Sequence, residues 1–235
     1  MNDFLARKFG QYLRTLESVV SAIVIVGAVG GCGQIDHRVQ NPLLVAPDAA
    51  ATNARLSPEG WDVNLLSSAI FQETNRVRRE LGLKPLEPHE ALNRAADLQA
   101  TANALNQTAV HSNIVREWAT PADRVRELGL NPAIVSENAA LLPLIDIDPD
   151  RGYSERDDGG DTVVVDQATG IVASPHTYAS FAQRLVHAWM NSPGHRANIV
   201  NARFRYLGCS ARPTKSLSGL DLITGIQVFF TPVGG

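Results

Sequence analysis

Apolar residues recur at helical spacing between Leu65 and Leu81, where Leu66, Ile70, Val77 and Leu81 share a face with Ala69 and Thr74, and the pattern stops before Gly82. This spacing predicts an amphipathic helix. A second helix is expected after Pro88, whose fixed φ suits a first helical position, with Leu92, Ala95, Ala96, Ala102 and Leu105 as a mostly small-residue face that permits close packing. Thr120-Pro121-Ala122-Asp123 reads as the start of a short third helix, with Thr120 as N-cap and Gly129 as terminator. A fourth fits His176 to Asn191, where Phe181, Leu185 and Trp189 fall at intervals of four before Ser192-Pro193-Gly194 breaks it.

Toward the C-terminus the period becomes two. Leu207, Cys209 and Ala211 alternate with smaller or polar residues, and Leu222, Thr224, Ile226, Val228 and Phe230 alternate with Ile223, Gly225, Gln227 and Phe229, which predicts strands. Gln227 is the only clearly polar residue of the last stretch, so that strand is expected to be central and covered on both faces. The fold class expected is α+β, a three-layer α-β-α sandwich around a central, mostly antiparallel sheet.

The first thirty-one residues follow a different pattern. Arg7, Lys8 and Arg14 precede an apolar run from Val19 to Val29 that ends at Gly30-Gly31-Cys32. The run is well short of the roughly twenty residues a membrane-spanning helix needs, and it suits the apolar region of an export signal. Val29-Gly30-Gly31-Cys32 resembles a bacterial lipobox, which implies lipidation at Cys32 and a membrane anchor; an ordinary signal peptide cut nearby, or a short buried helix, are the other readings. Residues 33 to about 58 mix Asn, Pro, Asp, Ala and Thr without periodicity, as a tether does. The expected organisation is a signal peptide over 1–31, a tether over 32–60 and one folded domain over 61–235.

With 235 residues, 44% of them hydrophobic, the chain can build one sizeable core. Cys32 and Cys209 are its only cysteines, too few for a secreted disulfide framework, and Cys209 reads as a buried strand thiol. Removal of residues 1–31 leaves acidic side chains in slight excess, and no basic patch invites nucleic acid.

Candidate chemistry gathers around Trp189-Met190-Asn191-Ser192-Pro193-Gly194-His195-Arg196-Ala197-Asn198-Ile199, together with His111-Ser112, Ser136-Glu137-Asn138-Ala139-Ala140, the opening helix and the Gly208-Cys209 strand. In order and spacing these resemble bacterial members of the CAP superfamily (cysteine-rich secretory, antigen 5 and pathogenesis-related proteins). The resemblance covers roughly residues 65 to 232 apart from an insertion at about 141–175. It implies a cleft lined by two histidines and usually two glutamates. His111, His195 and Glu137 match; the second glutamate's position holds Ser192.

Two imidazoles and a carboxylate in a partly exposed cleft suit zinc or another divalent ion with open coordination positions. They suit equally a hydrogen-bonded polar network that holds no ion, which would leave the chain without a cofactor. Nucleophilic catalysis would pair Ser112 or Ser136 with His111 or His195, with Glu137 orienting the base. No Gly-x-Ser-x-Gly elbow and no His-Glu-x-x-His helix is present. Arg196 and Asn198 read as structural, Trp189 as a core anchor, and His37, His89, His176 and His187 as solvated or terminal imidazoles.

Asp146, Asp148 and Asp150 share the alternate spacing of a calcium loop. Arg151 and Asp157 stand where such a loop wants glycine and glutamate, so a solvated acidic loop is expected. Val163 to Val172 reads as a hairpin around Asp166-Gln167-Ala168-Thr169-Gly170, set as a flap beside the cleft. The functional expectation is an exported protein, lipid-anchored to a membrane of the cell envelope on its periplasmic or extracellular side. It would bind a lipid, a small hydrophobic ligand or a protein partner. The alternative is a metal-assisted hydrolase in which His111 and His195 hold the ion and Glu137 is third ligand or general base.

Overall fold

The computed structural model describes residues 24–26, 47–57, 59–148, 150–159, 161–216 and 219–234. Most of the expected export signal, the lipidation candidate Cys32 and residues 33–46 of the expected tether lie outside the described residues.

The elements in chain order are β1 (Val24–Val26), α1 (Ala49–Thr52), α2 (Val63–Glu80), β2 (Glu87–Pro88), α3 (Glu90–Asn106), α4 (Pro121–Glu127), β3 (Pro132–Pro143), β4 (Tyr153–Asp158), β5 (Asp161–Asp166), α5 (Tyr178–Asn191), α6 (Pro193–Ile199), β6 (Tyr206–Lys215) and β7 (Asp221–Pro232). The helix α2 starts two residues before its apolar stripe because the Asp62 side chain accepts from the amides of Asn64 and Leu65. Pro88 is not the first residue of α3. The Glu87 amide donates to the Arg205 carbonyl (2.8 Å), which holds Glu87–Pro88 as a strand against β6 and starts the helix two residues later.

Five strands form one sheet in the order β1-β3-β7-β6-β2. The β3–β7 and β6–β7 pairs are antiparallel, and only β2 runs parallel to its neighbour β6. Alternation along the central strand β7 sorts the layers: Ile223 and Phe229 pack in the core beneath α2 and α5, while Ile226, Val228 and Phe230 pack beneath α3 and α4. Two helical layers on a mostly antiparallel sheet make the expected α-β-α sandwich. Gly208 on β6 permits one of these contacts, since a Cβ there would collide with the main chain of Leu92 and Asn93 on α3.

The long strand β3 carries no period-two signal because its side chains are buried on both faces of the sheet, polar Ser136, Glu137 and Asn138 included. Ile134, Ala140 and Leu142 lie in the core of the α2/α5 side, and Val135 and Ala139 in that of the α3/α4 side. Alternation therefore turns Glu137 toward α3 and α4, and Ser136 and Asn138 toward α2, α5 and α6.

Two local expectations change. The expected tether is fastened to the domain at Arg55 and Leu56: Leu56 is 1% exposed, its amide donates to the His176 carbonyl (2.8 Å), and Arg55 Nη1 donates to the Pro175 carbonyl (2.7 Å). An apolar side chain in an otherwise aperiodic stretch is enough to fasten it. The excursion after β3 runs from Leu144 to Thr177, closed where the His176 amide donates to the Leu144 carbonyl (2.9 Å), so His176 is buried rather than solvated. The expected turn over Asp166–Gly170 is formed, with the Asp166 amide donating to the Ile171 carbonyl (2.9 Å) and the Ala173 amide to the Val164 carbonyl (2.7 Å), and a longer hairpin, β4–β5, precedes it. The excursion leaves β3 six residues beyond Glu137, roughly 20 Å along the strand.

Candidate ligand cleft

His111 follows α3 in a loop whose carbonyls are held by that helix. Gln99 Nε2 donates to the Val110 (2.7 Å) and Ser112 (3.1 Å) carbonyls, and Asn103 Nδ2 donates to Val110 (3.0 Å). The ring meets Glu137 of β3, with His111 Nδ1 and Glu137 Oε1 3.0 Å apart. The second carboxylate oxygen is taken by Arg124. Reciprocal Thr120–Asp123 capping starts α4 and sets the helix so that Arg124 points inward. Its Nη2 donates to Glu137 Oε2 and its Nη1 donates to the Trp118 carbonyl (2.9 Å) and the His111 carbonyl (3.3 Å). Arg124 and Glu137 are both 0% exposed, so each charge depends on the other.

His195 arrives from the opposite face of β3, on α6, and that helix is tied to the strand by amides. Asn198 Nδ2 donates to Asn138 Oδ1 (2.8 Å) and to the Glu137 carbonyl (3.3 Å), while Ser136 Oγ donates to Asn198 Oδ1 (2.6 Å). Asn138 Nδ2 donates to the His195 carbonyl (3.2 Å) and to Gln227 Oε1 (3.1 Å), and Gln227 Nε2 reaches Thr74 Oγ1 on α2 (2.6 Å). The His111 and His195 rings come within 6.5 Å of each other, and Trp189 lies 6.5 Å from His195 on its other side.

The three residues singled out in the sequence are thus brought together. Neither serine is placed as a nucleophile: Ser136 serves Asn198, and Ser112 is exposed. Sequence reasoning missed Arg124, Gln99, Asn103, Asn138 and Gln227, and took Asn198 for a turn cap. An arginine set between Ala122 and Val125 on an otherwise buried helix face was the available signal for Arg124.

Burial pushes the His195 imidazole down to about 4, and the neighbouring His111 adds to the effect. The unfolded chain therefore takes up this proton from about pH 6.5 downward while the folded one does not until about 4. The contribution is complete above pH 6.5 and is lost as pH falls toward 4, with a slope of up to about 1.4 kcal/mol per pH unit. Proton-detected titration of the His195 ring should show a midpoint near 4; a midpoint near 6.5 would contradict the burial argument.

Residues 137–231 match the family model of the cysteine-rich secretory protein family, CAP. The match begins at Glu137 and contains His195, with both core strands β6 and β7. Over that stretch, less than half of the chain, the protein is similar to the CAP family. It is 23% identical over 169 residues to the uncharacterized protein YkwD of Bacillus subtilis, an alignment covering 72% of this chain and 51% of YkwD, so the chain spans about half the length of that curated relative. Among solved structures it is similar to an outer surface protein of Borrelia burgdorferi (19% identity, TM-score 0.48, 73% of this chain and 96% of that one). It is also similar to an extracellular protein containing a SCP domain from Bacillus anthracis (19% identity, TM-score 0.48, 75% and 44%).

A divalent ion at His111, His195 and Glu137 is one of the two readings of this residue set, and the donor set in this chain does not fit a three-ligand site. Both Glu137 oxygens are spent, one on His111 Nδ1 and one on Arg124. Among the described residues no group of three or more His, Cys, Asp and Glu is gathered to hold an ion. Glu137 stands behind His111 as the group that orients its ring. Around His195 there are unmet polar atoms: Trp189 Nε1, Ser192 Oγ and His195 Nε2 are buried and find no hydrogen-bond partner among the described residues.

Proposed function

We propose that this CAP-like domain is an exported, envelope-held binding module that receives a lipid, a small hydrophobic ligand or a protein partner in the cleft between His111 and His195. One observation carries the reading. His111, Glu137 and Ser136 are each committed to a fixed partner, while Trp189, Ser192 and His195 keep buried polar atoms free to receive a ligand. A general base needs a proton to take, and a nucleophile needs a base beside it; Glu137 lies between Arg124 and His111, and Ser136 lies on Asn198. Protease assays on unstructured protein and on envelope peptides, with and without added zinc, should show no turnover. Turnover that disappears in Glu137→Gln while the fold persists would replace this reading with the hydrolase.

The envelope location rests on Arg7, Lys8 and Arg14 ahead of the Val19–Val29 run and on Cys32 at its end. No helix among the described residues is long and apolar enough to cross a membrane. Labelled palmitate fed to cells producing the chain should enter the parent protein and not Cys32→Ala, with the variant released from the membrane fraction. Equal labelling of both would remove the anchor.

A further inference from the structure

His176 is a buried imidazole that the cleft does not use, and separate stretches of chain close over it. Its amide donates to the Leu144 carbonyl (2.9 Å) just past β3, and its carbonyl accepts from the Leu56 amide (2.8 Å) of the segment that leads into the domain. On either side of it the Asp146 amide donates to the Ser174 carbonyl (2.8 Å), Arg55 Nη1 to the Pro175 carbonyl (2.7 Å) and the Tyr178 amide to the Ala54 carbonyl (3.2 Å). Residues 174–178 therefore clasp the base of the excursion with one edge and the N-terminal segment with the other.

The ring inside this clasp is 3% exposed and packs edge-on against Phe181 of α5, with the centroids 5.7 Å apart. Ser180 Oγ receives the Thr177 amide (2.9 Å) in the helix cap and lies 2.9 Å from His176 Nδ1, so its hydrogen goes to that nitrogen and the ring is held in its neutral form. A second proton would turn Nδ1 into a donor. The displaced Ser180 hydrogen would then have only the Thr177 carbonyl, at 3.4 Å. Three charged side chains surround the ring. Asp146 Oδ1 stands 3.7 Å from Nε2 on a side chain 60% exposed, Arg184 of α5 opposes a positive ring, and Arg55 is engaged at the neighbouring Pro175 carbonyl. Burial pushes the imidazole below its ordinary value; Asp146 offsets part of this and Arg184 adds to it.

We propose that this junction is an acid-operated latch, in which a proton taken up by His176 releases residues 54–56 and the base of the excursion from residues 174–178 together while the sheet stays folded. The open form gives the ring to water, where it takes a proton as a free imidazole does, and the closed form resists that proton. The latch is therefore closed above about pH 6.5, and below that value opening gains up to about tenfold per pH unit. The excursion and the N-terminal segment, which both lie outside the sandwich, respond in one step. Where the chain is anchored at Cys32, opening also lengthens the free chain ahead of the domain.

Amide hydrogen exchange on the full chain, corrected for the intrinsic rate at each pH, reads the latch directly. Between pH 7 and pH 5 protection at Leu56, Asp146 and His176 should fall by about tenfold, and by no more than about 25-fold for a single proton. The ladder amides of β6 and β7 should keep theirs. His176→Asn keeps an acceptor for Ser180 and cannot take the proton, so the fall should vanish whatever absolute protection the variant shows. Titration of the His176 ring in the parent protein needs no variant and should give a midpoint below 6.5. Junction amides that lose protection only in step with the β6–β7 ladder overturn the proposal. So does a fall that persists in His176→Asn, or a His176 midpoint at 6.5 or above.

Discussion

Arg124→Met should cost about 3–5 kcal/mol of stability, read as a lower urea midpoint with an unchanged slope. The guanidinium is 0% exposed and supports three separate pieces of the cleft: the Glu137 carboxylate and the carbonyls of Trp118 and His111. Methionine fills a similar volume and supplies no charge, so Glu137 would keep its buried carboxylate with only the His111 ring beside it. Removing one partner of a buried pair is more damaging than removing both, because the penalty belongs to the stranded charge. Arg124→Met combined with Glu137→Leu should therefore recover much of the loss, while the His111 ring loses its orientation. Arg124→Lys should recover little, since an ammonium cannot match the planar fork that spans three acceptors. A loss below about 1 kcal/mol in Arg124→Met would show that the pair does not organise the cleft.

What is legible in the sequence tracks how many faces each element buries. The helices α2 and α5 cover one face each, so their apolar stripes can be read directly, with errors of only two residues where Asp62 and Thr177 cap them. The central strand β7 is recognisable because Gln227 is its one polar interruption. The long strand β3 is not, because its middle is Ser136-Glu137-Asn138, three polar residues that a propensity argument assigns to a loop. They are buried there because each is bonded: to Asn198, to Arg124 and His111, and to His195 and Gln227. Burial of polar groups follows from pairing, and pairing between residues 62 or 89 positions apart leaves no local trace.

The same reason limits what the sequence says of the site. His111, Glu137 and His195 stand out through the motifs around them, and the fold does bring them together. Their relation is hidden. Whether Glu137 is a ligand or an orienting group depends on Arg124, thirteen residues away on a different element. His176 is the opposite case. It lies outside any apolar stripe, yet the closing strands of the excursion bury it, and its ring bonds Ser180 Oγ (2.9 Å). Burial, the largest cause, lowers its affinity for a proton, while Asp146 partly offsets this.

The second large effect is expected at Asn198, the residue that fastens α6 to β3. Asn198→Ala removes a donor to Asn138 Oδ1 and to the Glu137 carbonyl and the acceptor of the Ser136 hydroxyl, all in the interior. Each lost buried partner carries roughly 1–3 kcal/mol, and shared networks do not add fully, so a total of about 2–4 kcal/mol is expected in chemical denaturation. Stability alone would not separate a positioning role from a structural one. The discriminating readout is the His195 ring, whose low proton affinity depends on burial beside His111. If Asn198 holds α6 in place, Asn198→Ala should bring the His195 midpoint up from about 4 toward 6.5 as water reaches the ring. A core variant of comparable cost, Ile70→Ala on α2, should leave that midpoint where it is. Should Asn198→Ala lower stability and still leave His195 titrating near 4, the amide network would be holding the core together without setting the cleft.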